Sequence, residues 1–156
     1  MKKTLFIFLI VAMLVSLPGC QKKELSPSGT PLNIKVVIHY DPPNITINPP
    51  VPDPARIAKG DKVTWSVTVV PATNPLDVTV DGFQDTSGKN VDVFGDGSTY
   101  RIGGATSGQS AMSGTAGRVS DAGGFKYRIT AVSATGDKKI LDPRIIVSAG
   151  FDSSGK

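Results

Sequence analysis

Val63-Thr64-Trp65-Ser66-Val67-Thr68-Val69 alternates apolar and hydroxylated residues without a break. Val63, Trp65, Val67 and Val69 share one face, opposite Thr64, Ser66 and Thr68, which is the two-residue period of a half-buried β-strand. β-Branched and aromatic side chains suit that state. Trp65 is the chain's single tryptophan and the expected anchor of its core.

The same period extends outward in both directions. Upstream, Leu32, Ile34, Val36, Ile38 and Tyr40 alternate with Asn33, Lys35, Val37 and His39, and Asp41-Pro42-Pro43 ends the run. Asn44 to Asn48 makes a shorter alternation, with Ile45 and Ile47 inward. The proline-dense stretch Pro49 to Pro54 cannot donate ladder hydrogen bonds and is expected at a sheet edge. Lys59-Gly60-Asp61 predicts a turn. Downstream, Leu76 to Val80 predicts a strand ended by Asp81-Gly82. Asn90 to Phe94 and Thr99 to Ile102 predict two more around Gly95-Asp96-Gly97. Gly103 to Gly117 is almost all Gly, Ser, Ala and Thr, with Gln109 and Met112 inside it, and predicts a long mobile loop. Phe125, Tyr127, Ile129 and Ala131 alternate with Lys126, Arg128 and Thr130. Gly136-Asp137 turns the chain into a last strand from Lys139 to Val147, and residues 149–156 are expected to fray. No segment has a helical period. About eight short strands with regularly spaced turns predict an all-β, Greek-key, two-sheet β-sandwich over residues 32–148.

The first twenty residues have a different composition. Lys2 and Lys3 precede an apolar run from Leu5 to Leu17, and Leu17-Pro18-Gly19-Cys20 follows. The run is shorter than the roughly 20 residues a membrane-spanning helix needs. A positive start, a short apolar middle and small residues at the end form a secretory signal. With cysteine directly after the cut, the segment resembles the signal peptide of a bacterial lipoprotein. An uncleaved membrane helix and a secreted protein with a chance cysteine are the alternatives.

The lipoprotein resemblance implies removal of residues 1–19 and lipidation of Cys20 by a diacylglyceryl thioether, often with a third chain on the amine. One acyl chain holds a protein only reversibly, whereas two or three hold it stably. Pro18 departs from the Ala or Ser usual before the final glycine. Gln21 in place of Asp implies, by the family's sorting rule, the outer membrane in a cell with two membranes. The partner implied is therefore a membrane, reached through Cys20, with an envelope protein as a further possible partner. Residues 20–31 read as a polar tether spanning roughly 18 Å as a coil and about 36 Å when stretched.

Removing 19 of 156 residues leaves 137, a natural size for one domain. Cys20 is the only cysteine, so packing alone must stabilise the fold without a disulfide. Losing Lys2 and Lys3 takes the formal net charge from +4 to +2. Lys22 and Lys23 against Glu24 supply another positive charge beside the lipid. The domain itself is then near neutral, no clustered basic surface is expected, and nucleic acid is not an expected partner.

Ile45-Thr46-Ile47, the proline-rich stretch, and Ile57-Ala58-Lys59-Gly60-Asp61-Lys62-Val63-Thr64-Trp65 resemble the opening of a cupredoxin-like domain. Gly124-Phe125-Lys126-Tyr127-Arg128-Ile129 and Leu141-Asp142-Pro143-Arg144-Ile145-Ile146-Val147 resemble its last two strands. An immunoglobulin-like sandwich is the alternative topology. Blue copper requires two histidines and a thiolate, with a weak axial ligand such as methionine. Ala131 to Lys139, the loop where the family places ligands, has no Cys, His or Met. His39 is the only histidine, and Cys20 is assigned to lipid. No cofactor, metal site or catalytic residue is expected.

Other chemistries are weaker still. His39 with Met112 would leave a soft copper site two ligands short. A Ser-His-Asp triad through His39 lacks a nucleophile elbow. Asp85 to Asp92 misses calcium-loop spacing, and Gly103-Gly104 lacks the following helix that phosphate binding needs. Asn44-Ile45-Thr46 matches a glycosylation acceptor by accident. The expected function is a non-catalytic, lipid-anchored binding or structural module of the cell envelope, with contacts sought first at Gly103 to Gly117 and Asp81 to Asp96. The alternative is a periplasmic metal-binding or electron-transfer protein.

Overall fold

A computed structural model of the chain describes residues 31–113 and 123–148. Cys20, residues 21–30 of the tether, the end of the glycine-rich segment and residues 149–156 lie outside the described residues. The described chain is all β. Its strands are β1 (Leu32–Asp41), β2 (Asn44–Ile47), β3 (Ala55–Ala58), β4 (Val63–Val70), β5 (Leu76–Gln84), β6 (Tyr100–Ala105), β7 (Ser107–Met112), β8 (Gly123–Ser133), β9 (Lys138–Leu141) and β10 (Arg144–Ser148).

Two sheets form from these strands. The first has the order β2-β1-β4-β7, and the second β3-β10-β8-β5-β6, with β9 also paired to β8. Both sheets are mixed. β1 runs parallel to β4, with Ile34 opposite Trp65, and β3 runs parallel to β10. The proline stretch carries the chain from the first sheet to the second along the outer edge of β1. There Val51 exchanges two backbone hydrogen bonds with Lys35, both 2.9 Å. The turn that returns the chain to β4 is closed twice: the Asp61 carboxylate accepts from the Ala58 N–H, and the Asp61 N–H donates to the Ala58 carbonyl. Gly60 sits in it at φ 95°, where a side chain would be strained.

The inward faces of the two sheets make one core. Ile34, Val36 and Ile38 of β1 and Val63, Trp65 and Val67 of β4 are fully buried, and meet Val78 and Val80 of β5 and Phe125, Tyr127 and Ile129 of β8. Trp65 is its centre. Its ring stacks on Tyr100, with centroids 4.9 Å apart, and meets Phe94 edge-on at 5.9 Å. Phe83 and Tyr127 lie edge-on to Trp65 and stack on each other at 5.3 Å. Each such aromatic pair contributes roughly 0.5–1.5 kcal/mol beyond the area it buries.

Four expectations of local structure are corrected. Asp81-Gly82 does not end β5. It forms a β-bulge, visible as a register shift against β8 between Asp81 and Gln84. The extra residue changes the strand's phase, so that Leu76, Val78 and Val80 face inward and then Phe83 does. Asn90 to Phe94 is not a strand: Asn90 makes one bridge to Gln84, and a side-chain-tied loop follows. The glycine-rich segment is not a loop as far as it is described, because β6 and β7 occupy it through Met112. A strand needs ladder hydrogen bonds before it needs apolar side chains, and β7 obtains its own from β4 while staying exposed. Finally, Lys139 to Val147 is two strands. Asp142-Pro143 breaks it, and both pieces pair with β8 along one edge.

Because Trp65 is completely buried, Trp65→Ala is expected to lower unfolding stability by about 3–5 kcal/mol in urea titrations followed by far-UV circular dichroism. Trp65 fluorescence in the parent should be blue-shifted and protected from iodide quenching.

Candidate functional site

Alternation decides which side chains are available to a ligand, since the inward half of each strand is committed to the core. On the first sheet the outward rows are Asn33, Thr64 and Met112, then Lys35, Ser66 and Ser110, then Val37, Thr68 and Ser107. His39 lies opposite Val70 and Thr46 at the far end. This face has few charges. Val51, Val70 and Met112, three of the four exposed large hydrophobic residues, lie on this sheet or its edge.

His39 and Met112 share that face but not a site. They lie opposite Val70 and Thr64, six residues apart on β4, which is about 20 Å at strand rise. The His39 imidazole has no hydrogen-bond partner among the described residues, while its backbone lies in the β1 ladders. No cluster of three His, Cys, Asp or Glu residues able to hold a metal occurs among the described residues.

The acidic segments expected as contact regions are engaged in closing turns. The Asp85 carboxylate accepts from the Ser87 hydroxyl and from the Ser87 and Lys89 amides, which holds its pKa below the ordinary value of 3.8. Asp92 gathers the next loop by accepting from the Ser98 hydroxyl and from the Gly95 and Gly97 amides, and its pKa is likewise lowered. Asp96 accepts from the Tyr100 hydroxyl at 2.6 Å. Burial, and secondly that neighbouring carboxylate, raise the Tyr100 pKa, so the phenol stays protonated. In the β8–β9 turn Asp137 accepts from Thr135, Tyr40 and Ser133 at 2.7, 2.8 and 3.0 Å. Those hydroxyls, Thr135 first, lower its pKa and tie the turn to β1.

The second sheet's outer face differs. Its rows place Arg101 beside Thr79 and Thr130, Asp81 beside Arg128, Lys126 beside Arg144, and Ile146 beside Arg56. Lys138 lies opposite Val132 on the same face. Six cations therefore share it with Asp77, Asp81 and Asp142. The sequence has no basic run because these residues are spread over five strands, with only Lys126 and Arg128 sharing one, and the registers collect them. The expectation of no clustered basic surface is corrected.

A groove of about 380 Å³ opens on this face beside the β5 bulge, lined by Gly82, Gln84, Asn90, Lys126, Arg128 and Asp142 among others. Arg128 is held by its cross-strand neighbour Asp81, with Nε and Nη2 each 3.1 Å from Oδ1. The guanidinium lies over Gly82, where a Cβ would meet Nε at 2.7 Å. Gly82 also has φ 63°, so both the backbone and the ion pair select glycine. Gln84 donates to Asn90 at 3.1 Å along the rim. The groove can receive a polar or anionic group, but it contains no nucleophile paired with a base. The sequence matches no protein-family model and no curated protein.

Gly82→Ala should force Arg128 off Asp81 and cost about 1–3 kcal/mol, the usual penalty for a strained left-handed residue, read by thermal or urea unfolding. Asp85, Asp92 and Asp137 have folded pKa values below their unfolded ones. Their stabilisation is therefore complete above about pH 4 and is lost as pH falls through the lowered values. The urea midpoint should hold between pH 7 and 5 and fall steeply below 4, less steeply in Asp137→Asn.

Proposed function

We propose that the protein is a lipid-anchored component of the cell envelope, whose β-sandwich is a non-catalytic binding or structural module. The observation that carries this reading is Leu5 to Leu17 followed by Leu17-Pro18-Gly19-Cys20. Such a segment is too short to remain as a membrane span and ends in the one residue type that can carry a thioether lipid. Gln21 favours the outer membrane, on its periplasmic face, in a cell with two membranes.

The sandwich is proposed to be cupredoxin-like. In support, Ile57-Ala58, the Lys59-Gly60-Asp61 turn and the Val63-Thr64-Trp65 strand follow one another as the resemblance requires. Immunoglobulin sheets are antiparallel, whereas β1 and β4, and β3 and β10, are parallel here. The family's copper does not fit these residues. One histidine, about 20 Å from Met112 by strand rise, and no cysteine but Cys20 cannot make a two-histidine thiolate site.

Mass spectrometry of the protein from its native membranes should find residues 1–19 removed and Cys20 diacylated. Cys20→Ser should lose the label from radioactive palmitate and leave the membrane fraction. A free Cys20 thiol in a membrane-bound chain would contradict the reading.

A further inference from the structure

We propose that the outer face of the second sheet docks on the anionic lipid surface to which the chain is tethered, with the groove beside Gly82 taking a headgroup phosphate. The lipid-anchored reading supplies the occupant, and charge supplies the orientation. Arg56, Arg101, Lys126, Arg128, Lys138 and Arg144 face outward together, against three aspartates. Among the described residues only Arg128 is ion-paired. The other five have no carboxylate within ion-pair distance among the described residues. The first sheet's outer face offers Lys35 and His39 at its outward strand positions, with Asp41 at its end, so a negative surface distinguishes the two faces.

The tether permits this geometry. It enters at Leu32, in the first sheet. Sheets pack about 10 Å apart, and residues 21–31 reach about 36 Å when stretched. The chain can therefore pass around the sandwich and leave the second sheet against the bilayer. Holding the domain that close raises its effective concentration at the surface, so weak charge contacts suffice to orient it. Lys126 at the groove offers a point charge with no ion-pair partner among the described residues, one of the donor types that bind phosphate, while the Nε and Nη2 of Arg128 stay on Asp81.

The test uses the full chain carrying Cys20→Ser, which no lipid can hold, sedimented with vesicles of phosphatidylglycerol and phosphatidylcholine or of phosphatidylcholine alone. The apolar segment at residues 5–17 partitions into both, so the reading is the difference between them. Preference for the anionic vesicles should fall as salt rises. The triple variant Arg56→Gln, Lys126→Gln, Arg144→Gln should bind those vesicles on the order of a hundredfold more weakly, from roughly 1 kcal/mol for each basic residue. Lys35→Gln on the opposite face should change binding less than about fivefold. These residues are exposed, and the far-UV spectrum of each variant checks its fold. Should the triple variant misfold, Lys126→Gln alone should still show a loss of about fivefold.

Equal binding by parent and triple variant overturns the proposal, as does binding to a soluble polyanion without binding to anionic vesicles. Face-dependent vesicle binding by a protein whose Cys20 is never acylated removes the tether and leaves the docking face. Acylation with no dependence on the face does the reverse.

Discussion

The burial of Trp65 between the sheets fixes the rest of the molecule. Its ring is stacked on Tyr100 and edged by Phe83, Phe94 and Tyr127. Two sheets must contribute to that cluster, because Trp65 comes from β4 while Tyr100, Phe83 and Tyr127 come from β6, β5 and β8. Once the indole faces inward, the phase of β4 is set, and parallel pairing with β1 sets the phase of Ile34, Val36 and Ile38. A slip of one residue would turn each strand's apolar row to solvent. The cluster also has a cost. Trp65 Nε1 and Tyr127 Oη are buried without hydrogen-bond partners among the described residues. The indole lies near enough to the phenol to offset part of the pKa rise that burial gives Tyr127, but not in hydrogen-bond geometry. An unsatisfied buried polar atom costs about 1–3 kcal/mol, less than burial of the rings contributes.

The β5 bulge links this core to the groove. It adds one residue so that Phe83 joins the aromatic cluster, and the same irregularity exposes Gly82 beneath Arg128. Packing inside and charge placement outside are therefore two results of one backbone feature. The loops at the sandwich ends use their carboxylates locally. Asp85, Asp92 and Asp137 collect amides and hydroxyls from their own turns, which leaves them little capacity for a cation.

Much of this architecture is legible in the sequence. Alternation around Trp65, from Leu32 to Tyr40 and from Phe125 to Ala131 gives the strands, their inward faces and the sandwich. What periodicity misses has three physical causes. A bulge interrupts the period without ending the strand, so Asp81-Gly82 looks like a terminus. Edge strands are held by backbone hydrogen bonds, so β7, with its exposed Ser, Gly and Gln, has no apolar signature. A proline can break a strand whose two halves still pair with one neighbour, as Pro143 does between β9 and β10. The basic face is invisible for a different reason. Arg56, Arg101, Lys126, Arg128, Lys138 and Arg144 span 89 positions of the chain, and each reads alone as an ordinary wet residue of its strand. Only sheet order makes them neighbours.

The described residues hold one histidine, His39, and no cysteine. Two unlike faces cover the sandwich: one with few charges, the other with six cations of which, among the described residues, only Arg128 is ion-paired. The central claim is that the cationic face is turned to the membrane. With Cys20 acylated as proposed, no other thiol competes, so a fluorophore on Arg144→Cys or on Ser66→Cys labels one face each. In anionic bilayers containing headgroup quenchers, the account predicts strong quenching at position 144 and little at 66. Equal quenching at both positions, or stronger quenching at 66, would contradict it.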